Sequence, residues 1–320
     1  MMKKVILFPL SLLFIVVLAS CNGADTRHET SADTNNEDVT TDERLITHEG
    51  GETTIVGTPE KIAVLDYRLA DTLIALDIRP HAMTTYLGET NLPYIENTSF
   101  EDIVPLGDDV NIEALLEAKP DLIIARTSEE GIYDSLSKIA PTILLSAPDD
   151  WRDSFKEVAA IVDKEEKAEE WLKDYDEKAE ALRTKLEENI EADETFLYLR
   201  VMPKEIRVHG TDFNLSATLF HDLELTPVEG LENLDKVETI SLEALTTYDA
   251  DHIFLENGGP NAVDDPEAEE QLNTLMESAI WNSLTAVEND QVYFMPPWVI
   301  SDYPNIKNKS LDLIEEALIE

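Results

Sequence analysis

The sequence predicts an α/β protein of two similar lobes with a ligand cleft between them, and three observations carry that prediction. A short passage occurs twice: Ile112 to Ile124 reads I-E-A-L-L-E-A-K-P-D-L-I-I, and Leu242 to Phe254 reads L-E-A-L-T-T-Y-D-A-D-H-I-F. Glu113/Glu243, Ala114/Ala244, Leu115/Leu245, Asp121/Asp251 and Ile123/Ile253 coincide without a gap. Each copy follows a capping residue, Asn111 or Ser241, whose oxygen can accept the orphan N–H groups of a helix's first turn. Each ends in an apolar run that suits a buried strand. Strands and helices also alternate at spacings expected of parallel βα units. Finally, Asp163 to Ile190 contains no Gly or Pro, and Ala168, Trp171, Leu172, Tyr175, Ala179, Leu182 and Leu186 recur at three- and four-residue steps. That is one long amphipathic helix of roughly 40 Å. E-A-L-L alone is ordinary helix vocabulary, but the shared offset makes repetition the better reading.

Taken in order, Lys61–Asp66 reads as a strand, Leu69–Leu76 as a short helix and His81–Thr85 as a second strand. Asn111–Ala118 (helix), Asp121–Ala125 (strand), Tyr133–Ile139 (helix) and Thr142–Ser146 (strand) complete the first lobe, residues 45–160. The long helix, within 161–192, lies midway between the two copies and connects the lobes. The second lobe, 193–320, has strands at Thr195–Val201 and Glu205–His209, a helix at Asn214–Leu223, then the repeated helix Ser241–Thr247 and strand His252–Leu255. Pro266–Met276 is helical, Gln291–Met295 a strand and Asn308–Ile319 a closing helix. Two Rossmann-like lobes with parallel-rich sheets and a single long connecting α-helix are therefore expected, and the cleft between them is the place for a ligand.

The first 20 residues belong to neither lobe. Lys3 and Lys4, the apolar run Val5 to Ala19 and small residues before Cys21 make a signal peptide; the run is shorter than the roughly 20 residues a membrane span needs. Cys21 is the only cysteine, which excludes an intramolecular disulfide. Leu18-Ala19-Ser20-Cys21 resembles a bacterial lipobox, implying cleavage before Cys21 and lipidation of its sulfur. Residues 21–44 are rich in Asp, Glu, Thr, Ser and Asn and form an acidic tether whose composition does not offset the entropy of ordering. The expected location is the extracytoplasmic face of a cell membrane, of the Gram-positive type, reached through the lipid anchor.

The formal net charge is −44, which argues against nucleic acid as a partner because phosphate binding relies on Lys and Arg. A saline or alkaline habitat accounts for such a surface, so the total charge says little about the ligand. An enzyme is disfavoured: there is no G-x-S-x-G, no H-E-x-x-H, no phosphate-cradling glycine loop and no nucleophilic cysteine in the lobes. An adhesion or scaffolding lipoprotein would leave the two-lobed organisation without a purpose.

Several segments together resemble an iron–siderophore-type substrate-binding lipoprotein of a bacterial ABC importer, the family of ferrichrome-, catecholate-, haem- and vitamin B12-binding proteins. They are P-E-K-I-A-V-L-D-Y (Pro59–Tyr67), D-T-L-I-A-L-D-I-R-P (Asp71–Pro80), Asn111–Ile124, K-I-A-P-T-I-L-L (Lys138–Leu145), Ile240–Leu245, I-W-N-S-L-T-A-V (Ile280–Val287) and the Q-V-Y at Gln291. The resemblance implies a monomer that captures an Fe(III)–siderophore chelate, without a cofactor of its own, and delivers it to a membrane permease dimer with its ATPase. It implies permease docking through one exposed glutamate per lobe, by motif Glu113 and Glu243; the bland alternative is two acids that complement helix dipoles.

Anionic chelates call for arginine, whose planar fork donates in pairs and stays charged. Arg200 and Arg126 lead the ligand-binding candidates, followed by Arg207 and Arg68. Arg68 and Arg126 follow strands, at the carboxyl ends where ligands collect. Arg200 shares a strand face with Tyr198, and Arg207 with His209. Each arginine also has a structural alternative: Arg68 as a partner of Asp71, and Arg200, if buried, in need of an anion. Tyr86 and Trp298 are candidates to stack on a chelate face, with Trp298 equally suited to anchoring its loop. His209 and Tyr303 are further candidates, and a haem would take one of them as axial ligand. Where the resemblance implies an arginine for a ferrichrome-like mode, the sequence has Gly107-Asp108-Asp109, so a hydroxamate or citrate-type chelate is expected over ferrichrome. The alternative ligand is a free metal ion such as Mn²⁺ or Zn²⁺, but the histidines show no ligand-like pairing and no direct metal ligands are assigned.

Overall fold

The computed structural model describes residues 43–96, 99–147, 150–258 and 265–319. The signal peptide, Cys21 and the tether as far as residue 42 lie outside the described residues. The chain opens with an antiparallel hairpin, β1 (Glu43–His48) and β2 (Gly51–Val56). Glu43 and Arg44, read above as tether, therefore belong to a strand. The hairpin is held to the first lobe from both ends: Arg44 Nη1 donates to the Ala160 carbonyl at 2.8 Å, and Thr53 Oγ1 to that of Thr142 at 3.0 Å.

The first lobe contains β3 (Ile62–Val64), α1 (Tyr67–Ala75), β4 (Ala82–Met83), β5 (Val104–Pro105), α2 (Ile112–Ala118), β6 (Leu122–Arg126), α3 (Tyr133–Leu136) and β7 (Thr142–Leu145). Its five strands run in the order β5-β4-β3-β6-β7, and every pair is parallel. β6 is buried along its whole length, as expected of a strand covered on both faces. Its alternate residues serve two cores. Ile124 joins Ile62 and Val64 beneath α1, while Ile123 and Ala125 join Ala63 and Leu65 against Leu115 of α2 and Leu136 of α3. The strand expected at Lys61–Asp66 is shorter because Asp66 turns to cap α1, accepting from Arg68 N, and the one expected at His81–Thr85 is reduced to Ala82–Met83.

Two helices leave this lobe, α4 (Trp151–Ile161) and α5 (Glu165–Asn189). α5 is the long connecting helix, and its buried side is Ala168, Leu172, Tyr175, Ala179, Leu182 and Leu186. The second lobe follows with β8 (Thr195–Met202), β9 (Glu205–His209), α6 (Asn214–Ala217), β10 (Thr226–Pro227), β11 (Val237–Ile240), β12 (His252–Asn257), α7 (Pro266–Glu277), α8 (Thr285–Glu288), β13 (Val292–Met295) and α9 (Pro304–Ile319). Its main path is β11-β9-β8-β12-β13, with β10 beside β8. β8, β12 and β13 are mutually parallel, whereas β9 and β11 add antiparallel strands.

Two helical expectations change in form. Asn214–Leu223 is α6 followed by a wide π turn, closed by the Leu223 N–H to the Thr218 carbonyl at 3.0 Å. The second copy of the repeat forms a tight 3-10 helix, Glu243–Tyr248, rather than an α-helix. The repeat is otherwise structural. Residues 111–120 and 241–250 show the same succession of exposed, half-buried and buried positions. Asn111 Oδ1 accepts from Glu113 N and Ala114 N, and Ser241 Oγ accepts from Ala244 N. Asp121 then receives Glu60 N and Lys61 N ahead of β3, as Asp251 receives Thr195 N at the start of β8.

α5 is not the sole link between the lobes. α9 of the second lobe packs on α1 of the first. Asp71 Oδ1 accepts from Asn305 N at 2.9 Å, and the Asn305 side chain donates to the Asp71 carbonyl at 2.9 Å. Among the described residues no helix is long and apolar enough to cross a membrane.

Candidate ligand-binding cleft

A cleft of ≈ 540 Å³ opens between the two sheets. The first lobe contributes Asp66, Arg68, Arg126, Thr127 and Ser128; the second contributes Arg200, Arg207, His209, Phe213, Asp302 and Tyr303. All four candidate arginines, His209 and Tyr303 thus meet at one place. A volume of this size suits a small-molecule ligand.

On the first lobe, Asp66 stands at the carboxyl end of β3 and caps α1, and Arg126 is the last residue of β6. Arg68 holds Asp66 with both prongs of its fork, Nε to Oδ1 and Nη2 to Oδ2, each at 2.9 Å. Its partner is therefore Asp66 and not Asp71, which is turned inward to Asn305. Arg126 reaches the same carboxylate at 3.8 Å and donates to the Ser146 carbonyl and to the Tyr303 hydroxyl, both at 2.8 Å. The Tyr303 ring lies 5.7 Å from the Arg126 guanidinium and 6.0 Å from that of Arg68, close enough for a cation–π contribution.

The second lobe presents a row of charges set by strand register. Arg207 of β9 is opposite Arg200 of β8, which is opposite Glu256 of β12. Two cations directly opposed repel, and the acids beside them offset that. Arg200 Nε lies 2.9 Å from Glu256 Oε2 and donates to the Gly258 carbonyl at 2.7 Å. Tyr198, on the same face, donates to Glu256 Oε2 at 2.9 Å. Arg207 pairs with Glu205, which also accepts from Thr239. Glu256 is fully buried, and burial pushes its carboxyl up to about 8 against the pull of Arg200. His209 is 2% exposed, and neither ring nitrogen has a partner among the described residues. Burial, followed by Arg200 and then Arg207, lowers it to about 3, so it faces the cleft as a neutral imidazole.

Behind this wall, Asp302 accepts from Asn214 N at 3.0 Å and pairs with the buried Lys307 at 2.6 Å. Lys307 also donates to the Asn214 carbonyl. This bracing fixes Asn214, whose φ of +57° is left-handed, a conformation that asparagine adopts more readily than most residues.

The two aromatic candidates lie elsewhere. Tyr86 is buried with its ring 4.9 Å from Tyr67, and Trp298 is half-buried with its ring 5.2 Å from Tyr94. Neither lines the cleft. In the 107–109 stretch, Asp108 accepts from Thr85 Oγ1 and Gly88 N, so this corner carries a satisfied carboxylate. Glu113 and Glu243 are exposed, each at the start of its helix. Hydrogen bonds from its own N–H and from Ser241 hold the Glu243 carboxyl below its usual range.

Sequence reasoning missed Asp66, Glu256, Phe213 and Asp302. A usable signal existed for two of them: Asp66 directly follows a strand and precedes Arg68, and Glu256 closes the apolar run I-F-L. Among the described residues no three His, Cys, Asp or Glu side chains converge as a metal shell.

The sequence profile of the periplasmic binding protein family matches residues 62–298. The chain belongs to that family. The iron(3+)-hydroxamate-binding protein FhuD of Bacillus subtilis is 31% identical over 245 residues, covering 73% of this chain and 70% of that protein. A probable siderophore-binding lipoprotein of the same organism, YfiY, is 28% identical over 335 residues, covering 100% of this chain and 99% of its own length. Among solved structures, a periplasmic binding protein component of a Fep/Fec-like ferrichrome ABC transporter from B. subtilis superposes with a TM-score of 0.77. It is 27% identical and covers 86% of this chain and 100% of that one. The resemblance read from the ordered sequence segments and the two-lobed α/β architecture both agree with these relatives.

Proposed function

We propose that this periplasmic binding protein is the substrate-capturing component of an ABC importer for a ferric siderophore, with a hydroxamate or citrate-type chelate as its cargo. The observation that carries the reading is the convergence of Arg68, Arg126, Arg200 and Arg207 with the unpartnered His209 on one cleft. Hydroxamate and carboxylate oxygens around iron accept hydrogen bonds, and guanidinium forks supply them in pairs. The neutral His209 adds a donor that desolvation leaves unsatisfied until a ligand arrives. Relatives with names that specify hydroxamate or siderophore binding support the same cargo.

In this reading the protein works as a monomer without a cofactor, tethered through lipidated Cys21 at the outer face of the cell membrane. Its first lobe spans 45–160 and its second 193–320, with the 161–192 helix between them. Both α5 and α9 tie the lobes together, so closure on the chelate is modest. Glu113 and Glu243, one per lobe and both exposed, dock the loaded protein on the permease dimer, whose ATPase drives release inward.

The test is a tryptophan-fluorescence titration of the purified protein. The panel comprises ferric trihydroxamate, ferric citrate, mixed citrate–hydroxamate and tris-catecholate chelates, with Mn²⁺, Zn²⁺ and haem as competitors. Saturable quenching by a hydroxamate or citrate-type chelate is expected. A response to haem or to a free metal alone contradicts the proposal.

A further inference from the structure

We infer that Glu256 is a specificity-determining residue: its buried carboxylate lowers the positive charge of the cleft, so that the site favours ferric chelates of little or no net charge over highly anionic ones. This rests on the cargo reading given above and deepens it.

Four arginines would suggest a trap for polyanions, but each is already opposed by a carboxylate. Arg68 and Arg126 share Asp66. Arg200 is paired with Glu256 and Arg207 with Glu205. Asp302, on the same wall, is matched by Lys307. Above the value of about 8 to which burial pushes Glu256, these five cations and four acids among the described residues leave about one net positive charge, and His209 adds none.

The chemistry of the two chelate classes then separates them. Three hydroxamates neutralise ferric iron, whereas three catecholates leave a trianion. In a partly desolvated cleft each unbalanced unit charge within several ångströms weighs on affinity far more than it would in water. A site with so little excess charge does not offset the desolvation of a trianion.

Glu256 controls this balance more than the other acids because of its position. It is fully buried near the carboxyl end of β12, opposite Arg200 in the sheet. It is faced by Arg200 and Tyr198 from β8 and by Arg207 from β9. Only one of its oxygens is used: Oε2 takes Tyr198 and Arg200, while Oε1 has no partner among the described residues. The terminal nitrogens of Arg200, by contrast, have no protein acceptor among the described residues and are available to a ligand. Arg200 is thus held by its inner edge and presents its outer edge, with its charge already countered from behind.

The experiment compares wild-type protein with Glu256→Gln at pH 9, above the value of about 8 to which burial pushes this carboxyl. Glutamine keeps the shape and an acceptor for Tyr198 and Arg200 while removing the charge. Ferric trihydroxamate and ferric tris-catecholate are titrated by fluorescence, and thermal melting confirms folding. Glu205→Gln, at the half-exposed rim, is the second variant should Glu256→Gln not fold. Wild type should bind the trihydroxamate more tightly, and Glu256→Gln should shift the affinity ratio toward the tris-catecholate by about tenfold or more, with Glu205→Gln shifting it less in the same direction. An unchanged ratio in the folded variants, or a wild-type protein that prefers the tris-catecholate, overturns the role of Glu256 and leaves the cargo reading standing. If no chelate of either kind binds wild type, the cargo reading falls and this inference with it.

Discussion

Arg126 and Tyr303 meet across the cleft, the guanidinium of the first lobe donating to the hydroxyl of the second at 2.8 Å. Tyr303 stands just ahead of α9, and Arg126 closes β6, so this hydrogen bond joins the two sheets at the site itself. Arg126 is meanwhile fixed by the Ser146 carbonyl and by Asp66. The arginine is pre-set before a chelate arrives, which reduces the ordering that binding must impose.

Tyr303→Phe removes the acceptor while leaving the ring in place. A hydrogen bond to a charged group contributes about 1.5–3 kcal/mol. Chelate affinity should fall by about tenfold and folding stability by an amount of that order, as measured by titration and calorimetry.

Arg200→Ala is expected to unsettle the fold as well as the ligand site. It strands Glu256 in a fully buried position, and breaking a buried pair from one side typically costs about 3–5 kcal/mol. Urea unfolding at pH 9, where Glu256 is ionised, should show a loss of this order. The double variant Arg200→Met/Glu256→Gln should recover most of it, because no uncompensated charge remains.

Asp71 gives the fold a pH dependence. Burial pushes its carboxyl up to about 7, against the hydrogen bonds from Asn305. An acid raised in the folded state favours the protonated native form. Its contribution is complete below the ordinary aspartate range and declines as pH rises through about 7. Asp71→Asn keeps an acceptor for Asn305 N and removes the ionisation. The variant should gain about 2–4 kcal/mol over wild type between pH 5 and pH 8, read as the change in unfolding free energy with pH.

Reversing both docking charges, Glu113→Lys with Glu243→Lys, should abolish chelate uptake by cells while leaving chelate affinity within about twofold. Both side chains are exposed and outside the cleft. Uptake at the wild-type rate would assign these two glutamates to the ordinary acidic surface.

What the sequence made legible was local. Asn111 and Ser241 announce their helices because capping acts within a few residues, and the aligned apolar positions yield the same burial pattern in both lobes. Arg68 and Arg126 were readable because parallel strands deliver their carboxyl ends to one edge. The need of Arg200 for an anion was also visible, but the identity of its partner was not, since Glu256 reaches it only through the register of β8 on β12. That Trp298 and Tyr86 do not line the cleft has a related reason. Their rings turn to Tyr94 and Tyr67, and such choices depend on tertiary packing that a strand-end position does not reveal. The β1–β2 hairpin was partly absorbed into the tether because its Thr- and Glu-rich alternation is polar on its outer side.

The most direct test of the cleft as the chelate site is isothermal titration of ferric trihydroxamate into wild-type protein and into Arg68→Gln/Arg207→Gln. These two arginines are the more exposed of the four, and their loss leaves Arg126 beside Asp66 and Arg200 beside Glu256. One saturable site in the wild type and an affinity lowered by about a hundredfold in the folded double variant is the predicted result. Equal affinity in both proteins would contradict it and move the ligand away from this cleft.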